Sequence, residues 1–438
     1  MSQLSQHLTV KTASTPNPRN IIIGNGYRIT LITPRIVRVE AQKDNKFCDT
    51  ASLCFWTRDL GEVAFETRKT KRGLEIRTEK VTYYFSETLR KITRVKIGEK
   101  TVPCNNFGNL LGTVRTLDFT FGFKKLNEGV IGIKGVAVVD DSKSLLFDGA
   151  EVKPRPVREK DVYVFAYGRD YREAVRDFYK VTGEVPLLPR YALGNWWSRY
   201  KAYSQQEYID LMKRFENEKL PFTVATIDMD WHWVDVNKKF GTDFKGPTPL
   251  QSEGWTGYSW NTGLFPDYKA FLKWLHDHNY SITVNLHPSS GVRYYEDMYE
   301  EMARAMGVDP ATKETVGFDI ADPRFIKYYL EILHHPYEKE GVDFWWIDWQ
   351  QGKKSSLKGL DPLWSLNHYH FLDNARENKR PLILSRYSGL GAHRYPIGFS
   401  GDSIICWSSL RFQPYFTANA ANAGYTWWSH DIGGHTLG

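Results

Sequence analysis

Six apolar segments of this chain place a residue able to do chemistry at one end. Asp228 and Asp230 close FTVATIDMDW, His287 closes SITVNLHP, and Asp348 follows DFWWI. Arg386 ends PLILSR, Asp402 sits in FSGDSII, and His430 and Asp431 end GYTWWSHD. Paired carboxylates among aromatic rings suit cleavage of a glycosidic bond. One carboxylate attacks or stabilises the cationic anomeric centre, while a protonated acid gives a proton to the departing oxygen. Trp and Tyr add flat apolar faces for sugar C–H groups and polar tips for hydroxyls. A carboxylate after DFWWI is costly to hold at the end of an apolar run without a purpose. Asp402 lies in a Gly-flanked turn, where Asp also occurs as a plain turn residue. Arg386 has buried ion pairing as its ordinary alternative use. Asp228 and Asp230 have the spacing of a DxD metal pair, but alternation along a strand turns residues two apart to one face, so both can line a pocket.

The elements that position these residues change character along the chain. Of 15 tryptophans only Trp56 precedes residue 190. Upstream, short alternating segments (81–85, 117–123, 135–140, 161–168) separated by turn residues predict an antiparallel β-sandwich. A helix is expected over 171–181, stopped by Gly183. Beyond the Pro-rich VPLLPRYALG, strands at 192–198, 222–231, 281–288, 342–351, 381–388, 399–405 and 424–434 alternate with helices at 204–218, 267–279 and 325–340. Such alternation predicts a parallel sheet of the (β/α)8 barrel type, whose reacting groups stand at the carboxyl ends of the strands. The expected domains are 1–188, a β-sandwich, and 189–438, a barrel that lacks its eighth strand.

Composition narrows the function further. Lys and Arg exceed Asp and Glu by 58 − 51 = 7, with the positive charges scattered, which gives no footprint for nucleic acid or a membrane surface. No apolar run reaches 18 residues, and the N-terminal segment lacks a secretory pattern, so a cytoplasmic location is expected. The four cysteines show no metal-ligand or disulfide spacing and are expected as free thiols. His334, His335, His368 and His370 lie in helical stretches at spacings unsuited to the i, i+4 ligand geometry and are expected as core or surface residues. No metal or organic cofactor is expected, nor a nucleotide site, because no phosphate-cradling glycine loop is present.

Taken in order, IDMDW, LFPDYKAFLKWLHDHNYSITVNLHP, DFWWIDWQQG, RPLILSRYSGLGAHRYPIGFSGD and HDIGGH resemble the catalytic barrel of glycoside hydrolase family 31, the retaining α-glycosidases that include α-glucosidases and α-xylosidases. The resemblance runs from residue 170 to the end, and a preceding β-sandwich is also what that family carries. It implies Asp348 as nucleophile and Asp402 as general acid/base. It implies Asp228 as the holder of a sugar hydroxyl, with Asp230 in support, and Arg386 as a sugar ligand beside the nucleophile. Asp431 would stand close to the acid/base, and Trp346, Trp349 and Trp407 would wall the substrate pocket. The implied activity is exo-acting, retaining hydrolysis of terminal α-linked sugars, with an oligosaccharide or small α-glycoside as substrate.

Several positions depart from the family pattern. Trp349, Gln350 and Gln351 replace the Met, Asn and Glu usual after the nucleophile, Phe399 stands where a Trp is common, and His435 replaces a Phe. The positions of the family's pocket histidine, eighth strand and distal β-domains would fall beyond Gly438, so these features are expected to be absent from this chain. Two other readings stay open at this point: a non-catalytic or split chain that binds sugar or needs a partner for strand eight, and an α-transglycosylase working through the same intermediate.

Overall fold

The computed structural model describes residues 4–105, 108–246, 252–431 and 434–436. The chain divides into two compact units. One gathers Val10–Val185, Gly389–Arg394 and Ser400–Gly438, and the other Met1–Thr9, Pro186–Ser388 and Tyr395–Phe399.

The first unit holds an antiparallel β-sandwich. One sheet pairs Ile21–Gly24, Tyr27–Thr33, Ile36–Ala41, Lys160–Ala166 and Val136–Asp140 in that order, and the second runs from Phe65–Thr70 through Gly73–Thr78, Val81–Ser86 and Lys91–Ile97 to Lys100–Pro103. Val81–Ser86 alternates buried and half-buried residues, as a strand with one face on a core should. Ile29, Leu31, Val37, Ile76, Tyr83 and Val95 are wholly or almost wholly buried in that core. The opposite face of the first sheet is covered too. The helix Tyr171–Thr182 lays Ala174, Phe178 and Val181 against Ile36, Ala137 and Phe165.

That double burial traps charges. Arg28 grips Glu40 at 2.6 and 2.9 Å, and Arg38 grips Asp161 through two bonds of 2.7 Å, with Arg38, Glu40 and Asp161 fully buried. Burial pushes the Asp161 carboxyl up, but Arg38, Arg58 and Arg155 outweigh it and bring the pKa down to about 2. Asp141 has the opposite balance. Burial, then the charge of Asp161, push it up to about 7.

In the second unit six strands pair in parallel: β1 (Asn195–Trp197), β2 (Phe222–Ile227), β3 (Ser281–Leu286), β4 (Phe344–Ile347), β5 (Ile383–Ser385) and β6 (Gly398–Phe399). β4 is buried along its whole length, as a parallel strand with helices on its face should be. Ser204 and Glu207 cap the helix Gln205–Asn217 reciprocally, and the Asp267 side chain caps Tyr268–Asp277. Tyr208, Met212, Phe271, Leu272 and Leu275 from these helices pack with Ile282, Val284 and Trp345 of the sheet. The architecture is a β-sandwich followed by a TIM-type barrel whose eighth strand is not found among the described residues.

Local expectations fail at identifiable places. The helix expected over 325–340 is two, Pro323–Leu333 and His335–Glu340, because Pro336 donates no hydrogen bond and disfavours helix before it. Residues 117–123 form turns rather than a strand, with Phe119 at φ 55°. Strand geometry in 399–405 stops at Phe399, and in 424–434 it covers Trp428–Ser429. Ile432 and Gly433 of that last segment lie outside the described residues. The helix Pro362–Asn374 contains the helical stretch expected around His368 and His370, whereas Trp407–Ala420 has no counterpart in the sequence reading. All four cysteines are free. Among the described residues no helix is long and apolar enough to cross a membrane.

Two predictions follow from the trapped charges. Arg38→Ala strands Asp161 as an under-compensated buried anion and costs about 3–5 kcal/mol, whereas Arg38→Met combined with Asp161→Leu costs less because that anion leaves with its cation, while Glu40 keeps Arg28 and Arg155 keeps Asp141 and Glu159. Denaturant unfolding compares them, and equal losses would refute the account. Asp141 has a folded pKa of about 7 against about 3.9 unfolded, so its ionisation drains stability as pH rises between those values. Asp141→Asn should therefore gain on the wild type from about pH 4 to pH 7 and hold a constant difference above it; a difference independent of pH would remove the charge argument.

Candidate active site

The pairing register assembles the centre of the site. Leu286 of β3 stands beside Ile347 of β4, which stands beside Ser385 of β5. The next residue on each strand is His287, Asp348 and Arg386. The three meet because each chain runs one residue past the ladder, and the Asp348 N–H still donates to Leu286 O at 3.0 Å.

Both carboxylate oxygens of Asp348 are engaged. Arg386 Nη1 donates to Oδ1. Asn285 Nδ2 donates to Oδ2 at 3.1 Å, and His287 Nε2 lies 3.1 Å from the same oxygen. Asp348 is 6% exposed and Arg386 1%. Burial alone would raise the Asp348 pKa, but the charges of Arg386 and then His287 win and hold the carboxyl well below the usual range. The side chain is therefore an anion kept in a nearly dry place. Phe399 roofs it: its ring lies 4.7 Å from the Arg386 guanidinium carbon and meets Trp346 edge-on at 5.7 Å. The Trp346 indole N–H is buried with no hydrogen-bond partner among the described residues.

Asp228 and Asp230 also lie in this unit. β2 ends at Ile227, and Asp228 caps the turn Met229–Trp231 by accepting from Met229 N at 2.7 Å. The two-residue alternation expected for the pair does not apply, because the strand has already ended. Asp230 is 9% exposed, with its pKa raised by burial and then by Asp235. The hydroxyl of Tyr200 feels Asp230, Asp228 and Asp235 in that order, after burial, all raising its pKa. Trp349 is buried rather than standing open: its indole donates to Gly352 O at 2.8 Å and leans on Phe318 at 5.2 Å. His334, His368 and His370 are core residues.

Asp402, Asp431 and Trp407 belong to the other unit. The Asp402 loop is held there by the turns of residues 117–120. Leu117 N donates to Ser400 O, Phe119 N to Asp402 O, and Asp402 N to the Asp118 carboxylate, each at 2.8 Å. The Asp402 side chain is half-buried. Asp431 N reaches Ser400 Oγ at 3.4 Å. Trp407 begins its helix 76% exposed.

The structure adds Asn285 and Tyr200 to the residues singled out from sequence. Asn285 carried a usable signal: it is a polar residue within the apolar run of β3, two positions before His287. Tyr200 carried none, since it stands in a loop. Among the described residues no group of three His, Cys, Asp or Glu side chains is arranged to hold a metal ion.

Residues 185–438 match the family description "Glycosyl hydrolases family 31 TIM-barrel domain". The chain is 25% identical over 302 residues to an alpha-xylosidase of Saccharolobus solfataricus, covering 64% of this chain and 38% of that protein. It is 23% identical over 320 residues to an alpha-glucosidase of the same organism, covering 61% of this chain and 43% of that one. It thus spans about two fifths of the length of these relatives. In fold it resembles a Flavobacterium johnsoniae family 31 dextranase complexed with glucose, with a TM-score of 0.67, 16% identity, and coverage of 97% of this chain and 62% of that one. An alpha-xylosidase from a soil metagenome complexed with xylose gives a TM-score of 0.62 at 16% identity, covering 95% and 71%. With the match spanning more than half of its length, the chain belongs to glycosyl hydrolase family 31.

Proposed function

We propose that this chain hydrolyses terminal α-linked sugars as an exo-acting retaining glycosidase, with Asp348 as nucleophile and Asp402 as general acid/base, in a catalytic barrel drawn from residues 189–438. The observation that carries the reading is the state of Asp348: a carboxylate buried at the end of β4 and held ionised by Arg386, with His287 and Asn285 on its other oxygen. A nucleophile must be an anion, and desolvation strengthens its attraction to the cationic anomeric centre. The names of the relatives, alpha-xylosidase and alpha-glucosidase, support the α configuration.

In the first displacement Asp348 bonds to the anomeric carbon as Asp402 protonates the departing oxygen. In the second, Asp402 takes a proton from water as that water breaks the glycosyl ester and releases the sugar. Asp228 binds a sugar hydroxyl, and Arg386 fixes the nucleophile while reaching the sugar beside it. Trp346, Trp349 and Trp407 supply apolar walls, and Asp431 helps keep the Asp402 proton in place. The mechanism calls for the two catalytic carboxyls about 5–5.5 Å apart.

Two measurements test this. Asp348→Asn should lower kcat on a cleaved member of an aryl α-glucoside, α-xyloside, α-galactoside and N-acetyl-α-galactosaminide panel by at least about a thousandfold. Turnover at the wild-type rate would end the proposal. Arg386 holds Asp348 low, so the acid limb of kcat/KM should lie below about pH 4 in the wild type and move upward in Arg386→Gln, as a carboxyl stripped of its cation takes up a proton more readily. An unmoved acid limb would show that Asp348 is not the ionisation that limits the rate.

A further inference from the structure

The helix Pro362–Asn374 carries two buried asparagines, Asn367 and Asn374, seven residues apart. That spacing is two turns, about 10.5 Å, so both stand on one face. Asn374 grips the entry end of the sheet: its Nδ2 donates to Asp343 O, just before β4, and its Oδ1 accepts from Leu382 N, just before β5, both at 3.0 Å. Asn367 grips the exit end. Its Nδ2 donates to Arg386 O at 3.0 Å, and its Oδ1 accepts the Ser385 hydroxyl at 2.6 Å. Ser385 Oγ also lies 3.2 Å from the carbonyl of Ile347, the residue before Asp348. From Leu382 to Arg386 extended chain advances about 13 Å, close to the separation of the asparagines, so the helix holds β5 at both ends.

The two clamps hold different things. At the entry end both partners are backbone groups at strand starts, a strand's length from Asp348, and that clamp seats the helix on the sheet. At the exit end the β4–β5 ladder closes with the pair Ile347–Ser385, and Arg386 opens a loop. The Asn367 amide fixes the peptide that follows the Arg386 Cα, one residue beyond the last ladder pair. From that backbone position the guanidinium reaches Asp348. Through Ser385 the same amide is tied to the carbonyl that precedes Asp348, so both halves of the ion pair leave the backbone at points anchored to one side chain. Such anchoring matters to chemistry, since a misplacement of about 1 Å at a catalytic group can cost about a hundredfold in rate.

We propose that Asn367 and Ser385 are positioning residues, which together set where the Arg386 guanidinium meets the Asp348 carboxylate and so keep the nucleophile ionised and aimed. Both act through Arg386 and Asp348 rather than on the sugar. The inference rests on the proposed function, in which Asp348 is the nucleophile. The charged and titratable groups set against Asp348 are Arg386 from β5 and His287 from β3, and Arg386 is the one the exit clamp holds. Loss of the clamp therefore has a defined sign: a guanidinium that drifts loosens its hold, and a buried carboxyl with a weaker cation beside it takes up a proton more readily.

The test follows the acid limb of kcat/KM, on the aryl α-glycoside that the wild type cleaves, in Asn367→Leu, Ser385→Ala and Asn374→Leu. Asn367→Leu should move the limb upward by about one pH unit and lower kcat more than it raises KM. Ser385→Ala should move it in the same direction. Asn374→Leu breaks the entry clamp alone, so it should lower the melting temperature and leave the limb in place. In an Arg386→Gln background Asn367→Leu should shift the limb no further, because the cation it positions is gone. Should Asn367→Leu fail to fold, as thermal melting will reveal, Ser385→Ala carries the comparison. An unmoved limb in a folded exit-clamp variant, or an equal shift in Asn374→Leu, overturns the inference while leaving the glycosidase reading intact. Wild-type protein silent on every member of the glycoside panel overturns that reading and this inference with it.

Discussion

The barrel unit depends on keeping one charge where water is nearly excluded. A carboxylate buried as deeply as Asp348 would take up a proton unless a cation stood against it. Arg386 is that cation, and it is itself too buried to remain without an anion. Neither partner is stable in this place alone, and the one-residue overhang past the β3–β4–β5 ladder brings them together. Asn285 and His287 then occupy the oxygen that Arg386 leaves, while Phe399 and Trp346 keep the surroundings apolar and so strengthen each electrostatic term. Every one of these contacts presupposes the register; a slip of one residue in any of the three strands would turn its side chain to the other face.

The sandwich shows why a buried ion pair does not by itself identify a site. Arg38 and Asp161 are as buried as Arg386 and Asp348, with the same outcome of a carboxyl held low by guanidinium charge. Their setting differs. Arg38 and Asp161 pair across the middle of a sheet, are answered by Arg28, Glu40 and Arg155, and stand in a face covered by a helix. Asp348 stands at strand ends, where loops begin. Position in the fold, rather than the degree of pKa displacement, distinguishes the two pairs, and it is the strand-end setting that makes Asp348 the candidate for chemistry.

The loop bearing Asp402 adds a second constraint. Residues 117–120 form no strand of the sandwich; their turns present two backbone N–H groups and the Asp118 carboxylate to residues 400–402. The apolar side chains that suggested a strand serve other ends. Leu117 is buried with Leu126, Phe412 and Phe416, while Phe119, Phe121 and Phe123 are exposed. Alternation of hydrophobic residues is necessary for a half-buried strand but cannot specify one when no neighbouring strand is available to pair.

Much of the fold was legible because periodicity and caps are local. The alternation of 81–86, the amphipathic helices after Ser204 and Asp267, and the compact apolar strands of the barrel follow from side-chain spacing alone. Pro336 marked a helix break that the apolar pattern around it concealed. The bounds of the helix Pro362–Asn374 had no such signal, because it is buried on nearly every side and has no polar stripe to contrast with an apolar one. For the site, sequence alone determined the residue types and their places at strand ends: Asp228, Asp348 and Arg386 stand there because an apolar strand of limited length precedes each. It could not determine that Asp348 is ionised, that Asn285 and His287 share one of its oxygens, or that Asn367 reaches the Arg386 carbonyl. Those properties depend on distances between residues dozens of positions apart, and only the pairing of the strands sets such distances.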